Sequence, residues 1–242
     1  MKLIWLMLIT TFYSVSLSAE NLEVVTENWP PFNYHNEQHV IVGAATNNVR
    51  EVLALTSLNY QFNLYPWARS FKIAKSKKNV LIYSILKTVD REPLFHWFCP
   101  INPKVKTYVF QLNNSHIKVN SIEQLKSYRV GITRDGNNQQ FLVKKGFVEG
   151  KNLYLANNEI NNINKLFSGN IDFIIQTKES LAFRLDTLGK ELTKVKAAFE
   201  LNEDESNNLC MALNINSSEE VKTQLSNAFN QWEINQKLII NY

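Results

Sequence analysis

The sequence predicts an α/β protein built from two units of similar plan, the second inserted into the first. Three observations lead there. Strand-like and helix-like stretches alternate along almost the whole chain after residue 20. The first three strand-like stretches are separated by helical ones, and this β-α-β-α-β order implies a parallel sheet with helices on both faces. After Pro103 the alternation starts again, and the long helical stretch that ends the chain would return to the first unit.

The first 19 residues are set apart from that fold. Lys2 supplies a positive start, Leu3 to Tyr13 form an apolar stretch of 11 residues, and Ser16-Leu17-Ser18-Ala19 offers a small-residue cleavage site. That is the layout of a secretory signal peptide. A bilayer-spanning helix needs roughly 20 apolar residues, and no Cys lies near the cut to carry a lipid. The expectation is an exported protein that begins near Glu20. Removing the first 19 of 242 residues leaves 223, enough for one large or two modest domains. With Lys2 gone, 25 basic residues face 22 acidic ones, a net charge of +3. The charges are interspersed except at Lys75, Lys77 and Lys78, which end a helical stretch where cations suit the dipole. No basic stripe extends that cluster, so nucleic acid is not an expected partner.

The elements follow in order. Leu22 to Thr26 reads as a strand running into Glu27-Asn28-Trp29-Pro30-Pro31-Phe32, where two prolines exclude helix and central strand. Thr46 to Leu55 has helical spacing, with Val49, Val52 and Leu53 on one face and Thr46 or Asn47 as cap. Tyr60 to Tyr65 alternates as a strand. Pro66 then opens a helix over Trp67 to Lys75, as proline can in a first turn. Asn79 to Ser84 is the third strand, and its run Val80-Leu81-Ile82-Tyr83 is short enough for a buried one. In the second unit, strands are expected at Thr107–Leu112, Arg129–Ile132, Asn152–Leu155, Ile171–Ile175 and Leu209–Leu213. Helices are expected at Ser121–Leu125, Asn138–Lys145, Ile160–Phe167 and Ser180–Leu188. Gly169 is a C-terminal helix stop. The last helix, Ser217 to Ile239, has Ser217 or Ser218 as cap and Glu219 and Glu220 in its first turn.

The most informative stretch is Asn79 to Pro100. A buried strand breaks into the polar turn Lys87-Thr88-Val89-Asp90-Arg91, and an aromatic segment follows as far as Pro100. Thr88-x-x-Arg91 followed by aromatics and a proline resembles the "T-x-E-R … F-S-x-P" segment of bacterial periplasmic solute-binding proteins of the amino-acid type (family 3). Four further motifs are similar and lie in the same order: Trp29-Pro30-Pro31-Phe32, Pro66-Trp67-Ala68-Arg69, Val130-Gly131-Ile132 leading to Asp135-Gly136, and Leu166-x-x-Gly169-x-x-Asp172. The resemblance implies the two-lobed type II fold, with each lobe a mainly parallel sheet flanked by helices and two hinge strands between them. Residues 20–102 with 215–242 would form lobe 1, and 103–214 lobe 2. It also implies that Arg91 grips a ligand carboxylate and that Trp29 stacks on the ligand.

Physical chemistry supports such a site. A guanidinium matches a carboxylate bidentately, backbone N–H groups after Gly136 favour negative charge, and Trp29, Trp67 and Tyr83 offer flat apolar faces. Against this, Arg91 could pair with Asp90 or Glu92 at the surface, and Trp67 could be plain core. The chain also departs from the family's pattern. Leu86 stands where a ligand-binding hydroxyl is common, with Ser84 the nearest hydroxyl, and Thr177, preceded by Gln176, stands where amino-acid binders carry an acid. Asp135 could offer a carboxylate from elsewhere. A buried ammonium without a counter-charge is costly, which puts an ordinary α-amino acid in doubt. The expected ligand set is Arg91, Trp29, Trp67, Tyr83, Ser84, Leu86, Asp135, Gly136 and Thr177, with no cofactor and no catalytic residue.

The expected function is capture of a small polar, carboxylate-bearing solute in the periplasm by a monomer that serves an ABC-type permease or a membrane sensor. The alternatives are a dehydratase of cyclic acids such as arogenate or prephenate, with Asp135 or Glu27 as the acid, and a free-standing sensory module. No metal is expected. His35 and His39 sit four apart in H-N-E-Q-H, but this is not the zinc-protease H-E-x-x-H, the nearby prolines argue against a helix there, and seven glycines leave little room for a phosphate loop. Cys99 and Cys210 would lie near the strands linking the two lobes. Whether they pair is left open, because Cα separation decides it.

Overall fold

The computed structural model describes residues 21–103, 105–201 and 209–240, so the expected export signal lies outside the described residues. β1 (Asn21–Thr26) runs into the proline turn, and a short hairpin of β2 (Tyr34–His35) and β3 (Ile41–Val42) leads to α1 (Ala44–Leu53). The helix starts at Gly43 rather than at a cap on Thr46 or Asn47. Gly43 has φ 120°, and a Cβ there would collide with the Phe32 carbonyl. Thr46 instead faces the core, where its hydroxyl meets the Tyr83 hydroxyl at 2.9 Å. β4 (Asn59–Leu64), α2 (Trp67–Ser76) and β5 (Val80–Leu86) follow, with Pro66 at the cap of α2. β6 (Phe95–Asn102) then leads toward β7 (Thr107–Leu112).

The second unit continues with α3 (Ile122–Leu125), β8 (Val130–Thr133), α4 (Asn137–Lys144), β9 (Leu153–Ala156), α5 (Glu159–Phe167), β10 (Phe173–Thr177), α6 (Lys178–Thr187) and β11 (Val195–Glu200). β12 (Leu209–Asn214) and α7 (Glu219–Ile240) end the described chain. Two five-stranded sheets result, in the orders β4-β1-β5-β12-β6 and β9-β8-β10-β7-β11. In each, three strands run parallel, the fourth is reversed, and the edge strand reverses again. The two units therefore share one plan, and the expected α/β architecture of paired, mostly parallel sheets is the observed one.

One expected boundary is corrected. Leu209–Asn214 was assigned to the second lobe, but β12 lies between β5 and β6 in the first sheet, with Met211 opposite both Tyr83 and Phe98. Its run Leu-Cys-Met-Ala-Leu is buried on both faces, as a central strand requires. Cys99 of β6 and Cys210 of β12 are joined by a disulfide, their Cα atoms 4.6 Å apart, which settles the open pairing.

Each sheet is covered on both faces. In the first, Val49 of α1 and Leu225 of α7 pack on Leu81 and Tyr83, while Trp67 and Ala74 of α2 pack on Ile82 and Ile85. The side-chain period of two breaks between Tyr83 and Ile85 because Ser84 is an extra residue. β12 pairs Met211 with Tyr83 and Cys210 with Ile85, and Ser84 sits at φ 58°. α7 is tied to α1 by the Trp232 indole, whose N–H donates to Glu51 Oε2 at 2.8 Å. Asp172 has a structural place: both its oxygens take Arg129 N–H groups, which fixes the start of β8 beside β10.

Candidate functional site

β1, β5, β8 and β10 end toward a single crevice between the two sheets, the place where open α/β sheets present their ligand-binding loops. The crevice encloses a cavity of about 120 Å³. The first unit contributes Glu27 and Trp29 after β1, Ser84 and Leu86 from β5, Arg91, and Trp67 at the start of α2. The facing wall carries Thr133 and Gly136 after β8, Glu159 at the start of α5, Gln176 and Thr177 from β10, and Arg184 from α6.

Arg91 is 2% exposed, which removes the surface-pair reading. Asp90 pairs with Lys144 and Glu92 with Lys87. The turn holds its shape because the Thr88 carbonyl accepts from the backbone N–H groups of both Arg91 and Glu92. The guanidinium lies 5.1 Å from the Trp67 ring and 5.2 Å from Phe71, rings that are themselves stacked, and it donates to the Leu86 carbonyl at 3.4 Å. Such faces hold a guanidinium in place without neutralising it.

Several expected site residues have other work. Tyr83 is not on the crevice wall. It is fully buried in the first core, on the same sheet face as Leu81 two residues earlier, and its hydroxyl meets that of Thr46. Asp135 is exposed and does not line the cavity, but its backbone carbonyl accepts the Trp67 indole N–H at 2.7 Å from across the crevice. Ser84 donates to Asn33 Oδ1. The Thr177 hydroxyl caps α6 by accepting from the Ser180 N–H at 3.2 Å. Trp29, Trp67, Ser84, Leu86, Arg91, Gly136 and Thr177 all line the crevice.

The sequence reading missed most of the charge. Glu27 was weighed only as the acid of an enzyme, and Glu159 and Arg184 not at all. Glu159 takes the Thr133 hydroxyl on Oε1. Arg184 is buried, donates from Nε to Ser180 Oγ at 3.3 Å, and reaches across the crevice to the Asn28 carbonyl at 2.8 Å. Enclosure in the crevice pushes the Glu27 carboxyl up to about 7. The neighbouring Glu159 adds to the rise, and Arg184 and Arg91 oppose it. Burial likewise raises Glu159, moderated by the Thr133 hydroxyl and by Arg184. One signal was available for Arg184: it falls four residues after Ser180, on the face of α6 that buries Leu181 and Leu185.

Contacts across the crevice among the described residues include Trp67 to Asp135, Arg184 to Asn28, the Tyr34 and Phe183 rings at 4.9 Å, and Lys144 Nζ to Asp90 Oδ2 at 2.7 Å. The arrangement is a closed cleft that carries two guanidinium and two carboxyl groups.

No protein-family profile and no curated protein sequence matches the chain. Solved structures do match. A histidine kinase sensor domain with similarity to periplasmic binding proteins superposes with a TM-score of 0.79 at 17% identity, over 90% of this chain and 92% of that one. An ancestral arginine-binding protein bound to arginine gives 0.75 at 17% identity, over 89% and 93%. An amino acid ABC transporter substrate-binding protein from Streptococcus pneumoniae, bound to L-arginine, gives 0.72 at 17% identity, over 90% and 91%. The chain therefore has the type II periplasmic-binding fold. Identities this low show the fold alone.

Proposed function

We propose that this protein is a periplasmic solute-binding protein that closes its two lobes over a small, carboxylate-bearing, amino-acid-like solute and delivers it to an ABC-type permease. The observation that carries the reading is Arg91, an aromatic-braced guanidinium on the wall of a closed cleft. It would take the solute carboxylate in a bidentate pair. The doubt over an α-amino acid, raised by Thr177 standing in place of an acid, is eased by Glu27 and Glu159. Glu27 follows β1 and Glu159 opens α5, and both line the cleft, where they would face the ammonium. Trp29 supplies an apolar face, and lobe closure excludes water and strengthens each charged contact.

The test is a thermal-shift screen of amino acids and simple carboxylates against the wild type and Arg91→Met. A ligand present at about 100 times its Kd raises stability by about 2.7 kcal/mol. A shift that the variant loses while keeping its own melting transition supports the role, and equal shifts in both refute it.

Glu27 favours one second reading. A carboxyl held at about 7 inside a cleft can serve as a general acid, as a dehydratase of cyclic acids would require. Product formation from prephenate or arogenate, lost in Glu27→Gln, would establish that reading; a thermal shift without turnover supports capture.

A further inference from the structure

Gln176 ends β10 between Ile175 and Thr177, and all three line the cleft. Its residue is 5% exposed, and neither side-chain Oε1 nor Nε2 has a protein partner. Its polar neighbours on the same wall are committed elsewhere: Thr177 to the cap of α6, Ser180 to Arg184, and Thr133 to Glu159. A buried polar group left unpaired is costly, and here both ends of one amide are in that position.

We infer that Gln176 is a specificity-determining residue of the cleft, reading a neutral group that offers a donor and an acceptor side by side, and that the solute is an amino acid with a side-chain carboxamide. This deepens the capture reading and rests on it. A Gln amide presents one carbonyl acceptor and an NH₂ donor on the same edge. A guanidinium or ammonium would satisfy Oε1 and leave Nε2 unpaired, and a carboxylate would do the reverse. A primary carboxamide satisfies both through two parallel hydrogen bonds.

Charge points the same way. Arg91 and Arg184 share the cleft with Glu27 and Glu159, so once a bound ammonium favours the ionised carboxylates the formal charges on the wall cancel and a zwitterion adds none. A solute with a further charged side chain would bring an uncompensated charge into an enclosed site, which is costly. Sites that pair buried polar groups with ligand groups also reject analogues lacking those groups far more strongly than apolar pockets do.

The experiment is isothermal titration of wild type, Gln176→Leu and Gln176→Glu with L-glutamine, L-asparagine, L-glutamate, L-arginine and L-methionine. The expected wild-type result is L-glutamine or L-asparagine bound at least about tenfold tighter than each of the other three. Gln176→Leu should erase the preference over L-methionine. Gln176→Glu, which keeps the side chain's size, should lower affinity for the amide about tenfold or more if the leucine variant does not fold. If amino acids bind but the wild type shows no amide preference, or the variants keep one, the inference falls and the capture reading stands; water then satisfies the amide. If none of the five ligands binds, the amino-acid capture reading falls with it.

Discussion

The indole N–H of Trp67, at the start of α2, donates to the backbone carbonyl of Asp135 at 2.7 Å, from one wall of the cleft to the other. The same ring is a face for the Arg91 guanidinium, 5.1 Å away. Asp135 holds its carbonyl there from a left-handed backbone, φ 59°, a conformation that Asp tolerates better than most residues. One side chain thus braces the proposed carboxylate-binding group and also fastens the lobes.

Trp67→Phe separates these two duties, because the phenyl ring keeps a face for Arg91 and loses the N–H. A hydrogen bond of this kind contributes about 0.5–1.5 kcal/mol net. The expected outcome is a more open average shape in small-angle scattering and an affinity lower by about two- to tenfold, with the melting transition retained. Unchanged scattering and affinity would show that the contact does not hold the cleft.

The cleft carboxyls set a pH dependence. Glu27 has a folded value of about 7 against an ordinary 4.5, so between those values the folded protein holds a proton that the unfolded chain has released. Stability from this group is therefore fully present below about pH 4.5, is lost as pH rises toward 7 and levels off above it. The loss is at most about 3–4 kcal/mol. Glu159 is shifted in the same direction. Asp172, lowered mainly by Arg129 against the opposing effect of burial, loses its contribution only as the pH falls through the acid range. Melting curves from pH 4.5 to 8 should show a decline that Glu27→Gln flattens. An identical slope in the variant would contradict the assignment.

Solute capture should also move that proton. An ammonium beside Glu27 favours the ionised carboxylate, so binding near pH 6.5 is expected to release part of a proton. The binding enthalpy would then change with the ionisation enthalpy of the buffer, and Glu27→Gln would weaken that dependence. A buffer-independent enthalpy in the wild type would place the ammonium elsewhere.

The disulfide between Cys99 and Cys210 closes a loop across 111 residues of sequence, linking the two strands that flank the second unit. Loss of such a bridge costs about 2–5 kcal/mol. Urea unfolding of Cys99→Ser/Cys210→Ser should show a clearly lower midpoint, and the wild type should shift toward it in reductant. Coincident curves would mean the thiols do not pair in solution.

The fold was legible because its signals are local: apolar runs for the parallel strands, Pro66 ahead of α2, and Gly169 just after α5. Arg91 was legible for the same reason, lying in a turn just beyond a buried strand. Tyr83 turns to the core and not the cleft because it shares the face of Leu81, on which α1 and α7 pack. Which face of a doubly buried strand points to which layer is not written locally in the sequence. β12 was assigned to the wrong unit because strand pairing between residues more than a hundred positions apart leaves no local mark. The charged half of the site was missed because Glu27, Glu159 and Arg184 meet only when the end of β1, the start of α5 and the buried face of α6 converge.

The central claim is that Arg91 holds a solute carboxylate inside the closed cleft. Its most direct test leaves the protein unaltered: calorimetric titration of the wild type with L-glutamine, L-arginine and L-alanine, and with the methyl ester of each. The account predicts that at least one free amino acid binds and that its ester, with the carboxylate masked, binds at least about a hundredfold more weakly. An ester that binds as tightly as its parent acid would contradict it.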